Sequence, residues 1–214
     1  MRQDDKKMYE IIDIQYFGTI EFYLGLIDCS NVFFLPEKKY EKSLHLNRTS
    51  IYGPNGLIHL SVPLSGGRNQ KGLMRDVRIA DDSAWKRIHW RSIHDSYRKA
   101  PWFEELGWQV EELYNFQPVF LLDWNLNLLD WVLKVLKLQV DILAESIANE
   151  ELVSNKTVDV SANKPSEEYP EYQQVFAERF GFKPNLSILD LLFCEGPASI
   201  NYLQKCAAYK NKGD

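Results

Sequence analysis

Apolar residues in the first eighty positions cluster in short runs with the period of strands. Ile11–Phe17 is apolar and β-branched enough to predict a buried strand, and Val32–Leu35 predicts a second one. A short helix, Ile20–Ile27, is expected between them. Leu46–Ile51 and Leu57–Val62 flank Tyr52-Gly53-Pro54-Asn55-Gly56, a turn-rich segment that predicts a hairpin. Ser65–Gly72 is a polar loop, and Asp76–Ile79 has the look of one more short strand.

Beyond residue 80 the spacing becomes helical. Asp82–Arg98 predicts a helix that Pro101 stops, followed by helices at Trp102–Asn115 and Asn125–Ile147. The last of these carries Leu126, Leu129, Val132, Leu133, Leu136 and Val140 on one face. Glu150–Tyr169 is polar and contains Pro165, so it predicts a loop, with a short strand at Thr157–Val160. Glu171–Phe180, Ser187–Phe193 and Ser199–Tyr209 complete the helical part. The expected architecture is an α/β fold in one compact domain over 1–214. Residues 11–80 form a strand-rich part with a small sheet, and residues 82–210 a mainly α-helical part.

Composition narrows the classes. At 214 residues with 45% hydrophobic and 26% charged residues, the chain can bury a core without disulfide or metal staples. The formal net charge of -5 argues against a nucleic-acid partner. Three widely spaced cysteines without a CxxC pair fit free thiols in a reducing compartment. The first ten residues lack a signal-peptide core. Charged residues interrupt the apolar stretch Val119–Val140, so no membrane insertion is expected and a cytoplasmic location follows.

Candidate chemistry concentrates in few places. The chain lacks phosphate-loop, dinucleotide, GxSxG and HExxH motifs, and its four histidines offer no converging metal ligands. No metal and no cofactor are therefore expected. On the helix after Asp82, Trp85, Ile88, His89, Ser92, Ile93 and Ser96 share one arc, which turns His89 inward. Such a histidine is either a hydrogen-bonded core residue or a titrating group in a pocket. Arg87, Arg91, His94 and Arg98 share the opposite arc, with Trp90 and Tyr97 beside it. That row is either a solvated face or a docking surface for an anion. Arg48, if it faces inward, requires a carboxylate, phosphate or ligand partner. Ser187-x-x-Asp190 has the form of a capping box, which makes Asp190 a helix-start residue in preference to a catalytic carboxylate.

The same stretches resemble the WbqC-like family, a bacterial group associated with O-antigen and other surface-polysaccharide gene clusters. The matching text begins with Gln15-Tyr16-Phe17, Asn47-Arg48-Thr49, Gly53-Pro54-Asn55-Gly56 and Leu60-Ser61-Val62-Pro63. It continues through Trp85-Lys86, His89-Trp90-Arg91, Tyr97-Arg98-Lys99-Ala100-Pro101 and Phe103-Glu104. It closes with Tyr172-Gln173, Pro184-Asn185-Leu186-Ser187 and Asp190-Leu191-Leu192-Phe193. One departure is Gly18, which stands where the family usually has a proline. The order of strand, aromatic turn, short helix and strand is also similar to the start of class I nucleotidyltransferases and pantothenate synthetases. Gly18-Thr19-Ile20-Glu21, however, lacks their histidine.

The resemblance implies a transferase, with aminoacyl (glycine) transfer to an activated sugar as one form. The expected partner is an anionic small molecule such as a nucleotide sugar or sugar phosphate. In that reading His89 is the general base, and Arg48 and Arg91 hold the anion. Gln15, Tyr16, Asn47 and Tyr97 are the further substrate-binding candidates. The competing expectation is a non-catalytic binding or scaffold protein of the same pathway. Convergence of Gln15, Asn47, Arg48 and His89 in one cleft is the feature that separates the two.

Overall fold

A computed structural model of the chain describes residues 10–41, 45–67, 71–81, 84–146, 158–159 (backbone only) and 169–210. Strand β1 (Glu10–Ile11), helix α1 (Ile20–Leu24) and strand β2 (Asn31–Phe34) open the fold, followed by the hairpin of β3 (Arg48–Gly53) and β4 (Gly56–Ser61). Helices α2 (Ala84–Tyr97), α3 (Phe103–Asn115) and α4 (Leu121–Leu136) come next. Strands β5 (Asp141–Ala144) and β6 (Val158–Asp159) precede the short helix α5 (Ala177–Phe180), α6 (Ile188–Glu195) and α7 (Ser199–Lys210).

The fold is mixed α/β. Strands β5, β2, β1 and β6 form, in that order, a sheet in which every pair is parallel. The hairpin is a separate two-stranded sheet, closed by Pro54-Asn55 between the paired Gly53 and Gly56. Gly56 has φ +105, a conformation that favours glycine.

Several elements differ from the expectation. Only Glu10–Ile11 of the first predicted strand joins the ladder, although Ile12 and Ile14 behind it are buried. The chain then turns sharply, with Phe17 at φ +40. The helix expected to reach Ile147 ends at Leu136, where Lys137 adopts the left-handed conformation and donates its backbone N–H to Leu133 and Lys134. That cap releases Asp141–Ala144 to pair with β2, so the tail of the helical pattern is strand β5. Asp76–Ile79 is no strand. A 3-10 turn at Met74–Asp76 leads into single bridges from Ile79 to Leu64 and from Arg78 to Phe120. Of Glu171–Phe180 only the last turn is helical. The loop predicted over Glu150–Tyr169 lies mostly outside the described residues.

Helix α2 presents Trp85, His89, Ile93, Ser96 and Tyr97 to the core. Ile88, expected on that face, is 57% exposed, while Tyr97 is fully buried. The buried stripe thus follows the i, i+4 row Trp85–His89–Ile93–Tyr97. Trp85, Tyr114 of α3 and Trp124 of α4 pack edge-on or tilted against one another around Tyr16.

Candidate functional site

In open α/β sheets, ligands bind beyond the carboxyl ends of the strands, where the strand order reverses. Here the chain returns from β5, beyond β2, to β6 on the far side of β1, so the carboxyl end of β1 is such a place. Two segments leave this edge, 12–17 after β1 and 35–41 after β2, and 45–48, leading into β3, is tied to the first by the bond from the Tyr16 N–H to the His45 carbonyl.

Their polar side chains meet. The Lys38 ammonium donates to both oxygens of Asp13 at 3.0 and 2.9 Å. Lys39, Glu41, Leu46 and Met74 join this pair around a cleft of about 50 Å³. Tyr40 donates to Asn47 Oδ1 at 3.4 Å, and Asn47 donates to the Val62 carbonyl at 2.9 Å. Arg48 stands opposite Ser61 and donates from Nε to its hydroxyl at 3.3 Å. Its positive charge partly offsets the rise that burial imposes on the Tyr40 phenol. Among the described residues no carboxylate lies within ion-pair distance of this half-buried guanidinium.

Behind this cluster runs a buried hydrogen-bonded chain. Tyr16 Oη lies 2.8 Å from His89 Nδ1 and 2.6 Å from Tyr114 Oη. His89 also bonds the Ser61 backbone, and burial lowers its pKa to about 4. The imidazole is therefore neutral near pH 7. With its other nitrogen on the Ser61 carbonyl, Nδ1 accepts from Tyr16, and Tyr114 in turn donates to Tyr16. Burial raises both phenols well above the ordinary tyrosine range, so both keep their protons.

The predicted residues thus separate into three groups. Tyr16, Arg48 and His89 are linked through Ser61, with Asn47 alongside. Gln15 is buried one residue away and accepts from the Thr19 backbone, which shapes the turn. Arg91 and Tyr97 lie apart from this group. Arg91 is an exposed side chain on the outer face of α2, 3.6 Å from Asp95. Tyr97 is fully buried, accepts from the Tyr52 backbone at 3.1 Å and donates to Asp190 at 2.9 Å.

Asp190 differs most from its expectation. Ser187 caps α6, accepting from the Leu189 N–H. The Asp190 carboxylate does not reach back to the Ser187 backbone, whose N–H donates to Ser50 instead. It is fully buried and accepts from Tyr97, Tyr172 and Gln174. Burial raises its pKa, and the three hydrogen bonds oppose that rise. The Phe17 carbonyl, displaced by the positive φ, receives two hydroxyl donors at 3.0 Å, from Thr49 and Ser187. These bonds offset the cost of the strained conformation.

Sequence reasoning missed Asp13, Lys38, Tyr40 and Ser61. The available signal was position, because Glu37-Lys38-Lys39 follows the end of the second predicted strand directly. Among the described residues no three histidine, cysteine or acidic side chains converge as metal ligands, and no helix is long and apolar enough to cross a membrane.

A mixed α/β chain with a polar cluster at the carboxyl edge of a parallel sheet is the class these features define. The sequence profile of the WbqC-like protein family matches residues 15–164 and 143–202, and the chain belongs to that family. It is similar to the uncharacterized protein Rv1507c of Mycobacterium tuberculosis, at 26% identity covering 86% of this chain and 92% of that protein. No solved structure matches the chain.

Proposed function

We propose that this chain is a transferase of surface-polysaccharide synthesis whose substrate is an anionic, activated sugar held at the carboxyl edge of the sheet. The observation that carries the reading is the meeting of Arg48 and His89 on Ser61, with the Arg48 guanidinium lacking a carboxylate partner among the described residues. A nucleotide sugar or sugar phosphate supplies the missing negative charge, since a guanidinium fork suits phosphate oxygens. Asn47 and Gln15 keep the surrounding backbone in place. Aminoacyl (glycine) transfer is the form the family resemblance favours: an amine or hydroxyl of the bound sugar attacks the acyl carbon of an activated glycine, and the new amide or ester bond forms as the bond to the donor's leaving group breaks. His89 Nδ1 is occupied by Tyr16, so a proton leaving the acceptor reaches the imidazole by way of the phenol.

One observation favours a second reading, binding without chemistry. Tyr16 and His89 are sealed from solvent at 0% and 4% exposure. Calorimetric titration with a panel of nucleotide sugars and sugar phosphates, followed by turnover assays that pair each bound sugar with activated aminoacyl donors and with amine and hydroxyl acceptors, separates the two. The transferase reading expects Arg48→Ala to weaken binding by about 10- to 100-fold and His89→Gln to abolish turnover while binding survives. Binding that depends on Arg48, with no turnover for any donor and acceptor pair, establishes the binding module instead.

A further inference from the structure

A second and larger cavity, of about 310 Å³, with a lining distinct from that of the carboxyl-edge cleft, lies where the first turn of α2 meets the bridged segments 63–65, 77–80 and 117–120. Its inner wall is the Trp85 indole, whose ring centroid lies 5.1 Å from that of His89. Ile79, Pro118 and Val119 add apolar surface. Two cations face the space. Arg78 is held over the Phe120 ring at 4.8 Å, which fixes its guanidinium by stacking and leaves its donors uncommitted to a carboxylate among the described residues. Lys86 donates to the Phe116 carbonyl and to Gln117 Oε1. It also has no carboxylate within ion-pair distance among the described residues, and burial lowers its pKa. Lys86 moreover stands in the first turn of α2, which holds no acidic side chain, at the positive end of the helix dipole. A half-buried ammonium that shares one cavity with a second cation, and whose two hydrogen-bond acceptors are both neutral, is an unfavourable arrangement that a bound anion relieves.

We infer that this cavity is a binding site for a small phosphomonoester, its phosphate between Lys86 and Arg78 and its organic body against Trp85. The number of acceptor oxygens decides the class. A phosphomonoester offers three terminal oxygens with a charge near -2 at neutral pH and can accept from Lys86 and Arg78 at once, whereas a carboxylate offers two oxygens and a single charge. Asp81, the acidic residue on the lining, is exposed, so solvent screens its charge more than that of the half-buried Lys86. The apolar wall favours an ester over inorganic phosphate.

The inference does not depend on the role proposed for Arg48, and the experiment keeps the two apart. Glycerol 3-phosphate, inorganic phosphate and acetate are titrated calorimetrically into the full chain at matched ionic strength, with parallel thermal melts. Glycerol 3-phosphate is expected to bind more tightly than inorganic phosphate, and acetate to bind most weakly. Arg78→Gln, a surface change that leaves folding intact, and Lys86→Met are each expected to weaken glycerol 3-phosphate at least about tenfold. Lys86→Arg restores most of the affinity, and Arg48→Ala leaves it within about twofold. The assignment is overturned if no phosphate binds, if acetate binds as well as glycerol 3-phosphate, or if affinity survives Arg78→Gln. Affinity lost only in Arg48→Ala also overturns it, because the anion then sits at the carboxyl edge.

Discussion

An imidazole that cannot reach water must stay neutral, and His89 shows the consequence for stability. Its pKa is lowered to about 4 in the fold against the ordinary 6.5, burial being the main cause. The unfolded chain therefore binds the proton first as pH falls. The His89 contribution is fully present above pH 6.5 and is lost as pH drops through 4. The gap corresponds to roughly 3 kcal/mol between neutral and strongly acidic solution. Asp190 works in the opposite direction, since burial raises its pKa in the fold. Its contribution is complete below the unfolded carboxylate pKa and is lost as pH rises through the folded value. Chemical denaturation of the wild type and His89→Gln across pH 4–7 is expected to show a steeper acid loss in the wild type. Parallel curves would remove the buried neutral histidine. Gly18 is a steric counterpart. A Cβ there would lie 2.8 Å from the Phe22 ring and 3.2 Å from Gln15 Oε1, and Phe22 is itself buried. Gly18→Ala is thus expected to cost about 1–3 kcal/mol, read from the denaturation midpoint at an unchanged m-value. The same contacts exclude the proline usual in the family unless Phe22 moves.

At the scale of elements, what the sequence reveals depends on how far apart the interacting residues are. Ser187 as the cap of α6 is legible because a cap and the N–H it serves lie within one turn. The role of Asp190 is not, because Tyr97 lies 93 residues away and nothing local marks the pair. The boundary between α4 and β5 was hidden for another reason. Val140 and Ile142 continue an apolar pattern that suits either structure, and only the left-handed Lys137 and the free edge of β2 decide it. The segments carrying the family motif prove to be joints between elements. Thr49 and Ser187 meet on the Phe17 carbonyl, and Asn185 accepts from the Glu21 N–H at the start of α1. Asp190 joins α6 to α2 and to the 172–174 segment in the same way. Asp190→Ala leaves two phenols and an amide without their acceptor, so its expected cost exceeds about 3 kcal/mol. Ser187→Gly, which keeps a tolerated capping residue, is expected to cost less. Comparison of the two urea midpoints checks this order, and a loss under about 1 kcal/mol for Asp190→Ala would reduce it to the capping residue its spacing suggests.

For the molecule as a whole, charge placement matters more than charge count. The chain is acidic, with a formal net charge of -5, yet its conspicuous basic row on α2 and its basic cluster at the sheet edge differ in kind. The row was the more visible in the sequence because four-residue spacing is easy to read. Its member Arg91, however, is a solvated side chain with an exposed i, i+4 partner, an arrangement worth little. The edge cluster was only half visible. Asn47 and Arg48 stood out, whereas Lys38 and Tyr40 join them only because β1 and β2 pair in parallel and end together. The two basic regions therefore respond differently to an anion. Arg48→Ala is expected to weaken a nucleotide sugar or sugar phosphate by about 10- to 100-fold, the range for one charge-assisted hydrogen bond in a partly dry site. Arg91→Ala is expected to leave affinity within about twofold, because water and salt already screen that side chain. Raising ionic strength from about 50 to 500 mM should weaken wild-type binding more than it weakens the residual binding of Arg48→Ala, since salt competes with the charge that the variant has lost. Titration of both variants at the two salt concentrations decides the point. If Arg91→Ala removes affinity and Arg48→Ala does not, the anion docks on the outer face of α2 and the carboxyl edge is not the site.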